Sequence, residues 1–122
     1  MKYVFLAVQD EKHLEAMSPA ARLVFEEACQ ASEQELRRSG HLYAMEDLQK
    51  DSTAIAVQIL DGRLCFTDSP FVPTKGLSVR LFFIQARDLN AAIQIASKMP
   101  QARLGIIEVR RIVEFEPGHV SE

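Results

Sequence analysis

Two long apolar segments constrain the fold of this chain more than any other feature. Residues 3–8 read Tyr-Val-Phe-Leu-Ala-Val, and residues 79–84 read Val-Arg-Leu-Phe-Phe-Ile. Successive side chains of a strand point to opposite faces, so a near-continuous apolar run predicts a strand that is covered on both faces. The chain carries only two long helical patterns, and two helices cover one face of a small sheet. The second face therefore needs another partner, because a contiguous apolar area of that size is rarely exposed in a monomer.

The first helical pattern is predicted to span residues 19–38. Ser18 can cap the free N–H groups, and Pro19 fits the first helical position without losing a hydrogen bond. Gly40 is well placed to end the helix in the left-handed conformation. The stripe predicted to face the sheet consists of Ala21, Val24, Phe25, Ala28, Cys29, Ser32 and Leu36.

The second helical pattern begins after Asp88, a capping residue, and stops before Pro100. Its predicted buried face consists of Leu89, Ala92, Ile93 and Ala96. Residues 10–17 are predicted to form a polar loop, and the Pro-containing segment 68–76 is predicted to form another.

Strands account for the remaining periodic segments. Asp61-Gly62 is a favoured two-residue hairpin turn, so the segments on either side of it predict a hairpin. The alternation of the last strand slips at Arg110-Arg111, which indicates a bulge or the end of the buried portion. The predicted strands span residues 2–9, 41–46, 53–60, 63–67, 78–85 and 106–115.

The predicted order of elements is β-α-β, a hairpin, then β-α-β. Two split units of this kind build an α+β, ferredoxin-like sandwich, with both helices on one face of an antiparallel sheet and the hairpin as an insertion. The simplest cover for the second face is another copy of the chain, packed sheet against sheet as a dimeric α+β barrel. We therefore predict a homodimer of a single domain, residues 1–115, followed by a flexible tail at 116–122.

Composition and charge exclude several classes of partner. The chain has 14 Lys and Arg and 17 Asp and Glu, so it lacks the basic excess with which nucleic-acid binders neutralise phosphates. No stretch approaches the roughly 18 apolar residues of a membrane span. The N-terminal apolar run is followed by Gln9-Asp10-Glu11-Lys12 rather than by a small-residue cleavage site, so we expect a strand and a cytoplasmic protein. Cys29 and Cys65 are expected to be small buried side chains, and the alternative is a reactive thiol.

Asp68 and His41 are the candidate catalytic residues. Asp68 ends a hairpin strand at the mouth of a loop, where a carboxylate can act as a general base or orient an imidazole. The alternative is that Asp68 caps the turn before Pro70. His41, at the start of a strand, is the natural acid–base partner. The alternative for His41 is an interaction with the negative end of the preceding helix.

Lys75 and Arg80 flank the Pro-containing loop and could hold an anionic group of a ligand. Arg80 lies on an otherwise apolar strand, so its charge must face a cleft, an edge or a partner. The structural alternative for Arg80 is an ion pair with Glu46 or Glu108. The chain has no His, Cys or carboxylate cluster at metal-ligand spacing and no nucleotide- or dinucleotide-binding motif, so neither a metal nor a cofactor is predicted.

The segment Thr67-Asp68-Ser69-Pro70-Phe71 resembles the YCII-related family, in the branch marked by an Asp-Gly-Pro-Phe motif. The resemblance implies a dimeric α+β barrel and a cleft built around a His and an Asp, with an unassigned reaction. It also places Ser69 and Phe71 of the motif loop at the ligand, although Ser69 stands where the motif has glycine. Further similar positions are Lys2-Tyr3, Ser18-Pro19, Asp61-Gly62, Lys75, Asp88-Leu89 and Ile107-Glu108-Val109-Arg110.

Two functions are consistent with these observations. The first is the binding or transformation of a small molecule in a cleft at the dimer seam, with Asp68 and His41 transferring protons and Arg80 or Lys75 holding an anionic group. The second is a non-catalytic dimeric module that binds a protein. Since some members of the family occur beside sigma factors, the resemblance links the second function to sigma-factor-dependent transcription.

Overall fold

Residues 1–48, 54–68 and 76–115 are described by the structure, a computed structural model. Two pairs of consecutive helices separate the strands, and one helix of each pair is short. The elements are β1 (Lys2–Asp10), α1 (Glu11–Ala16), α2 (Pro19–Arg38), β2 (Leu42–Asp47), β3 (Ile55–Leu60), β4 (Arg63–Asp68), β5 (Leu77–Gln85), α3 (Leu89–Lys98), α4 (Gln101–Leu104) and β6 (Ile106–Arg111).

Four of the strands form an antiparallel sheet in the order β2-β5-β1-β6. β5 lies between β1 and β2, and β1 lies between β5 and β6, so each β-α-β unit holds a strand of the other unit between its own two strands. The predicted α+β class is confirmed. The predicted last strand is too long, because β6 ends at Arg111, and the slip at Arg110-Arg111 marks that end. The only register shift in the sheet, among the described residues, lies in β2 between Leu42 and Ala44.

The long helix α2 has the predicted bounds because its end signals are local. The Ser18 hydroxyl accepts a hydrogen bond from the Ala21 N–H at 3.1 Å, and Pro19 is the first helical residue. At the other end Gly40 has a φ of 83°, the left-handed conformation that glycine adopts without strain. Capping chemistry alone therefore places both ends of this helix correctly.

Two short helices were not predicted from the sequence. The segment expected to be a polar loop at 10–17 contains α1, which Asp10 caps by accepting a hydrogen bond from the Lys12 N–H at 3.0 Å. Pro100 does end α3, but a second turn of helix, α4, follows it directly. Helices of four and six residues are too short to show an apolar periodicity, which is why the pattern misses them.

The hydrophobic core lies on the face of the sheet that the helices cover. Side chains at alternate positions of β1 and β5 supply its centre, including the fully buried Phe5 and Phe82. α3 contributes Ala92 and Ala96, whereas Leu89 and Ile93, also expected on the buried face, are about half exposed. The buried cluster consists of Tyr3, Phe5, Ala7, Leu42, Phe82, Ile84, Ala86, Ala92, Ala96 and Met99.

The opposite face of the sheet is also apolar, but it contributes no residue to this cluster. Its side chains are half-buried on the two central strands, and Ile106 on β6 is 68% exposed. We call this surface the open face; its apolar residues on β1 and β5 are Val4, Leu6, Val8, Val79, Leu81 and Phe83. The predicted two-sided apolar character of these strands is thus present, and the described residues cover only one side.

The predicted hairpin is present, and its strands β3 and β4 form a two-stranded sheet separate from the main one. Asp61 and Gly62 both have positive φ, 50° and 76°, as the expected turn requires. One face of the hairpin is apolar and exposed, and its residues are Ile55, Val57, Ile59, Leu64 and Phe66. No helix among the described residues is long and apolar enough to cross a membrane. The predicted tail at 116–122 lies outside the described residues.

Candidate functional site

A cavity of about 850 Å³ opens between α2 and the helix-covered face of the sheet. Ala7, Gln9, Ser78 and Arg80 line it from the sheet, and Asp47 lines it from the end of β2. The other wall is formed by one stripe of α2, spaced every three or four residues, which consists of Arg22, Phe25, Glu26, Cys29, Gln30 and Glu33. The volume is within the range of small-molecule sites.

The cavity exists because α2 does not pack closely on the sheet along most of its length. None of its 20 residues is buried, and its main contact with the core is Leu36, near its C-terminal end. The apolar stripe predicted for α2 is partly wrong, since Ala21, Val24 and Ala28 are exposed. Charged and amide side chains occupy part of the inward stripe, and such groups are costly to bury without partners, so the helix stays away from the sheet.

Arg80 lies in the wall of the cavity and forms an ion pair with Asp47. It is opposite Ala7 in the sheet register, which places it on the helix-covered face. The Arg80 Nη2–H donates to Asp47 Oδ2 at 2.9 Å, and Nε–H donates to Oδ1, so the pair is bidentate. These hydrogen bonds raise the pKa of the Arg80 guanidinium above its usual value.

The ion-pair partners predicted for Arg80 are wrong. Glu46 is opposite Leu81, and Glu108 is opposite Leu6, so both carboxylates belong to the open face. Glu108 instead accepts a hydrogen bond from Arg110 at 3.1 Å. The two-residue periodicity of the strands therefore excludes them, and Asp47 on the neighbouring strand takes their place.

Cys29 faces the cavity from the middle of α2. It is half-buried, as is Cys65, so both are more exposed than the small buried side chains expected from the sequence. Burial raises the pKa of the Cys29 thiol above its usual value, and the nearby Arg80 guanidinium opposes this change. The thiol is thus the predominant form at neutral pH, and Cys29 supplies the cavity with a small, weakly polar wall.

Two glutamines form the polar end of the lining. Gln9 and Gln101 are 8% and 7% exposed, and the Gln9 Nε2–H donates to the backbone oxygen of Gln101 at 3.2 Å. The side-chain oxygens of both residues are buried and accept no hydrogen bond. Gly105 is close behind them, because a Cβ there would lie 2.2 Å from the Val8 backbone oxygen and 2.9 Å from Gln9 Nε2.

His41 lies away from this cavity. Its Nδ1 is 2.9 Å from the Gln85 backbone oxygen, at the end of β2 that is remote from Asp47. The path from His41 to Asp47 spans roughly 20 Å at about 3.3 Å per residue. The structure therefore does not bring His41 and Arg80 together within one chain.

Asp68 is the last residue of β4, opposite Ile55 in the hairpin register. Its predicted catalytic role is untested by this position. The other predicted ligand-binding residues, Ser69, Phe71 and Lys75, lie outside the described residues.

Sequence reasoning missed Gln9, Gln101, Cys29 and Asp47 as lining residues. A usable signal exists for Gln9, the polar residue at the fourth position of the set Tyr3, Phe5, Ala7 and Gln9 that faces the helices. No local signal exists for Gln101, because its short helix brings it to Gln9 only in the folded chain. Among the described residues, no group of three His, Cys, Asp or Glu side chains is arranged to hold a metal ion.

A comparison of the sequence with models of known protein families assigns this chain to a family. The model of the YCII-related domain matches residues 1–116, nearly the whole chain, so the chain belongs to the YCII-related family. The comparison does not distinguish the Asp-Gly-Pro-Phe branch within that family. No curated protein matches the chain.

Proposed function

We propose that this member of the YCII-related family is a homodimeric protein that binds a small molecule in the cavity between α2 and the sheet. The observation that carries the proposal is the composition of that cavity. A helix of 20 residues with no buried side chain stands over a sheet face whose other half is tightly packed. Its inward stripe and the facing strands together present an ion pair, two buried amides and an aromatic ring, the mixture typical of a ligand site.

Proton transfer by Asp68 and His41 is the catalytic form of this proposal. It requires the two residues to meet at one ligand, and His41 is remote from the cavity within its own chain. A partner subunit that reaches the site, as a cleft at the dimer seam implies, would have to bring them together. Asp68→Asn and His41→Gln test this form: turnover lost with ligand binding retained supports it, whereas unchanged turnover contradicts it.

The homodimer is supported by two apolar surfaces that residues 1–48, 54–68 and 76–115 leave uncovered. The open face of the sheet is only half-buried, and the five apolar residues of the hairpin face are between 57% and 70% exposed. An isolated two-stranded hairpin is marginally stable in water and needs a further surface to pack against. A second copy of the chain supplies an apolar surface to each, and a dimeric α+β barrel and a cytoplasmic location complete the proposal.

Native mass spectrometry of protein purified without dialysis tests the binding function. We expect a dimer that carries extra mass of small-molecule size. The Cys29→Phe variant places a bulky ring in the middle of the cavity wall and should give a bare dimer, whereas the Cys29→Ser variant, which keeps the volume, should retain the extra mass. Extra mass that persists in Cys29→Phe would place the ligand elsewhere and contradict the proposal.

The dimer itself is tested by light scattering on two neighbouring substitutions. Phe66 lies on the apolar face of the hairpin, and Thr67 lies on its other face. Phe66→Glu should yield monomers with an unchanged circular dichroism spectrum, whereas Thr67→Glu should remain dimeric. Dimers in both variants would exclude the hairpin from the interface.

The exposed hairpin also favours the second candidate, a non-catalytic dimeric module that binds a protein. Its link to sigma-factor-dependent transcription comes from the family resemblance alone. In cells that lack the natural gene, this candidate predicts that Cys29→Phe restores function and Phe66→Glu does not. The small-molecule function predicts that Cys29→Phe fails.

A further inference from the structure

In the two-stranded sheet of the hairpin, each strand has one edge without a partner strand among the described residues. An edge strand exposes N–H and C=O groups that can pair with another chain, and proteins usually protect such edges with charged residues, prolines or bulges. β3 has no charged residue and no proline, and its register with β4 is regular from Ile55 to Leu60. β4, in contrast, begins with Arg63 and ends with Asp68.

Both edges of the four-stranded sheet are protected in the usual way. β2 contains Glu46 and Asp47 and has a register shift near its start. β6 contains Glu108, Arg110 and Arg111. Among the edge strands of the described residues, β3 is therefore the one that has neither a charge nor a bulge.

The hydrogen-bonding pattern of the hairpin defines which backbone groups of β3 face outward. Leu60 and Arg63 flank the two-residue turn and therefore exchange backbone hydrogen bonds. Such pairs alternate along an antiparallel ladder, so the N–H and C=O groups of Ile55, Val57 and Ile59 point away from β4. The side chains of the same three residues belong to the apolar face of the hairpin and are 58 to 70% exposed.

We propose that two copies of this chain pair through β3, antiparallel and centred on Val57, so that the two hairpins form one four-stranded sheet. In this register Val57 lies opposite the partner's Val57, and Ile55 lies opposite the partner's Ile59. The outward N–H and C=O groups of these residues then have hydrogen-bond partners, and each of their side chains has a branched apolar neighbour across the seam. The inference rests on the proposed homodimer and specifies its contact.

The edge of β4 fits a second copy less well. Its outward backbone groups belong to Leu64, Phe66 and Asp68, which alternate with the residues bonded to β3. The corresponding pairing, centred on Phe66, would place Asp68 opposite the partner's Leu64. A carboxylate is costly to hold among apolar neighbours, whereas pairing through β3 brings no charge into the seam.

Paired edges alone bury too little surface for a stable dimer, which needs at least about 1,000 Å². Residues that lie opposite each other in a sheet share a face, so the register centred on Val57 puts both apolar hairpin faces on the same side of the joint sheet. The open faces of the two four-stranded sheets are apolar as well and are not covered by the described residues. Packing of the joint hairpin face on these open faces supplies the remaining area.

Cysteine cross-linking in a Cys29→Ser/Cys65→Ser background tests the seam. Val57→Cys should form a disulfide-linked dimer under mild oxidation, because the Cα atoms of a hydrogen-bonded antiparallel pair are about 5.5 Å apart, within the range of a disulfide. Leu64→Cys is the matched control, since Leu64 is 57% exposed and Val57 is 58% exposed. In the joint sheet Leu64 is three strands away from the partner's Leu64, at least roughly 14 Å, so this variant should not cross-link.

Amide hydrogen exchange followed by NMR is the second measurement on the unmodified protein. The Val57 and Ile59 amides should be protected in the dimer, whereas the Leu64 amide, on the outer edge of β4, should exchange rapidly.

The outcomes separate this inference from the homodimer. If the protein is dimeric by light scattering, cross-links in both variants or in neither, or rapid exchange of the Val57 amide, would overturn the pairing through β3 and leave the homodimer standing. A monomer whose Val57 amide exchanges rapidly would overturn both and leave the β3 edge to a different protein.

Discussion

The two long helices cover the same face of one sheet but make different contacts with it. α3 presents alanines, and Ala92 and Ala96 are buried members of the same core cluster as Phe82. α2 presents a stripe that contains Arg22, Glu26 and Glu33, and it buries no residue. Small apolar side chains thus build a core, and larger charged side chains in the same layer hold a helix away and leave a site.

The largest expected effect distinguishes a phenylalanine of the core from one of the cavity wall. Phe82→Ala should destabilise the protein by about 3–5 kcal/mol, because it opens a void in the packed half of the sheet face. Phe25→Ala on α2 should cost less than about 1 kcal/mol, since its side chain is only half-buried beside existing space. Denaturant unfolding of both variants measures the difference. Equal losses would show that α2 packs like α3.

Substitutions that enlarge a side chain test the same difference between α3 and α2, by adding volume rather than removing it. Ala92→Leu places extra methyl groups at a position that is 0% exposed and should cost about 1–3 kcal/mol through overpacking. Cys29→Leu places a similar volume into the cavity and should leave the free energy of unfolding unchanged or slightly higher. A loss of stability in Cys29→Leu as large as that in Ala92→Leu would contradict the existence of the cavity.

The ion pair of the cavity wall should contribute little to stability. The Arg80 and Asp47 side chains are 42% and 61% exposed, and exposed pairs contribute at most about 1 kcal/mol. We therefore expect Arg80→Met to reduce the free energy of unfolding by less than about 1 kcal/mol. A double-mutant cycle with Asp47→Asn gives the coupling energy, and a coupling above about 2 kcal/mol would assign the pair a structural role.

The smallest expected effect is a loss of stability in acid, which distinguishes the cap of α3 from the cap of α2. The Asp88 carboxylate accepts a hydrogen bond from the Ala91 N–H at 2.8 Å, which lowers the pKa of Asp88 below its usual value of 3.8. The charged form is favoured in the folded state, so this contribution to stability is complete above about pH 4 and is lost as the pH falls through the lowered pKa. Ser18, the cap of α2, does not titrate.

Asp88→Asn, which retains an oxygen at the cap, checks the acid effect. Below pH 4 the stability of the unmodified protein should fall more steeply with pH than that of Asp88→Asn, as followed by urea unfolding. Ser18→Ala should cost about 1 kcal/mol at every pH. If the stabilities of Asp88→Asn and of the unmodified protein changed in parallel with pH, Asp88 would not be a cause of the loss of stability in acid.

The sequence predicts the parts of this fold that depend on neighbouring residues. The ends of α2 and α3 and the hairpin turn follow from Ser18, Asp88 and Asp61-Gly62, whose effects act within a few residues. The short helices α1 and α4 escape prediction because they are too short for a periodic pattern.

The site is less predictable than the fold because its parts come from different elements. Arg80 stands out as a charge in an apolar strand, but its partner Asp47 is set by the register between β2 and β5. The distance between α2 and the sheet also depends on how the whole protein packs. The α2 sequence fits an amphipathic helix equally well whether the helix lies on the sheet or away from it. A cavity forms where the surfaces of two elements do not meet. The sequence pattern of one element describes only the surface of that element.

A crystal structure of the protein purified without dialysis tests the central claim most directly. We predict density for a small molecule between α2 and Arg80. A structure in which α2 lies directly on the sheet, with Phe25 and Cys29 packed against Ala7 and no space between them, would contradict it.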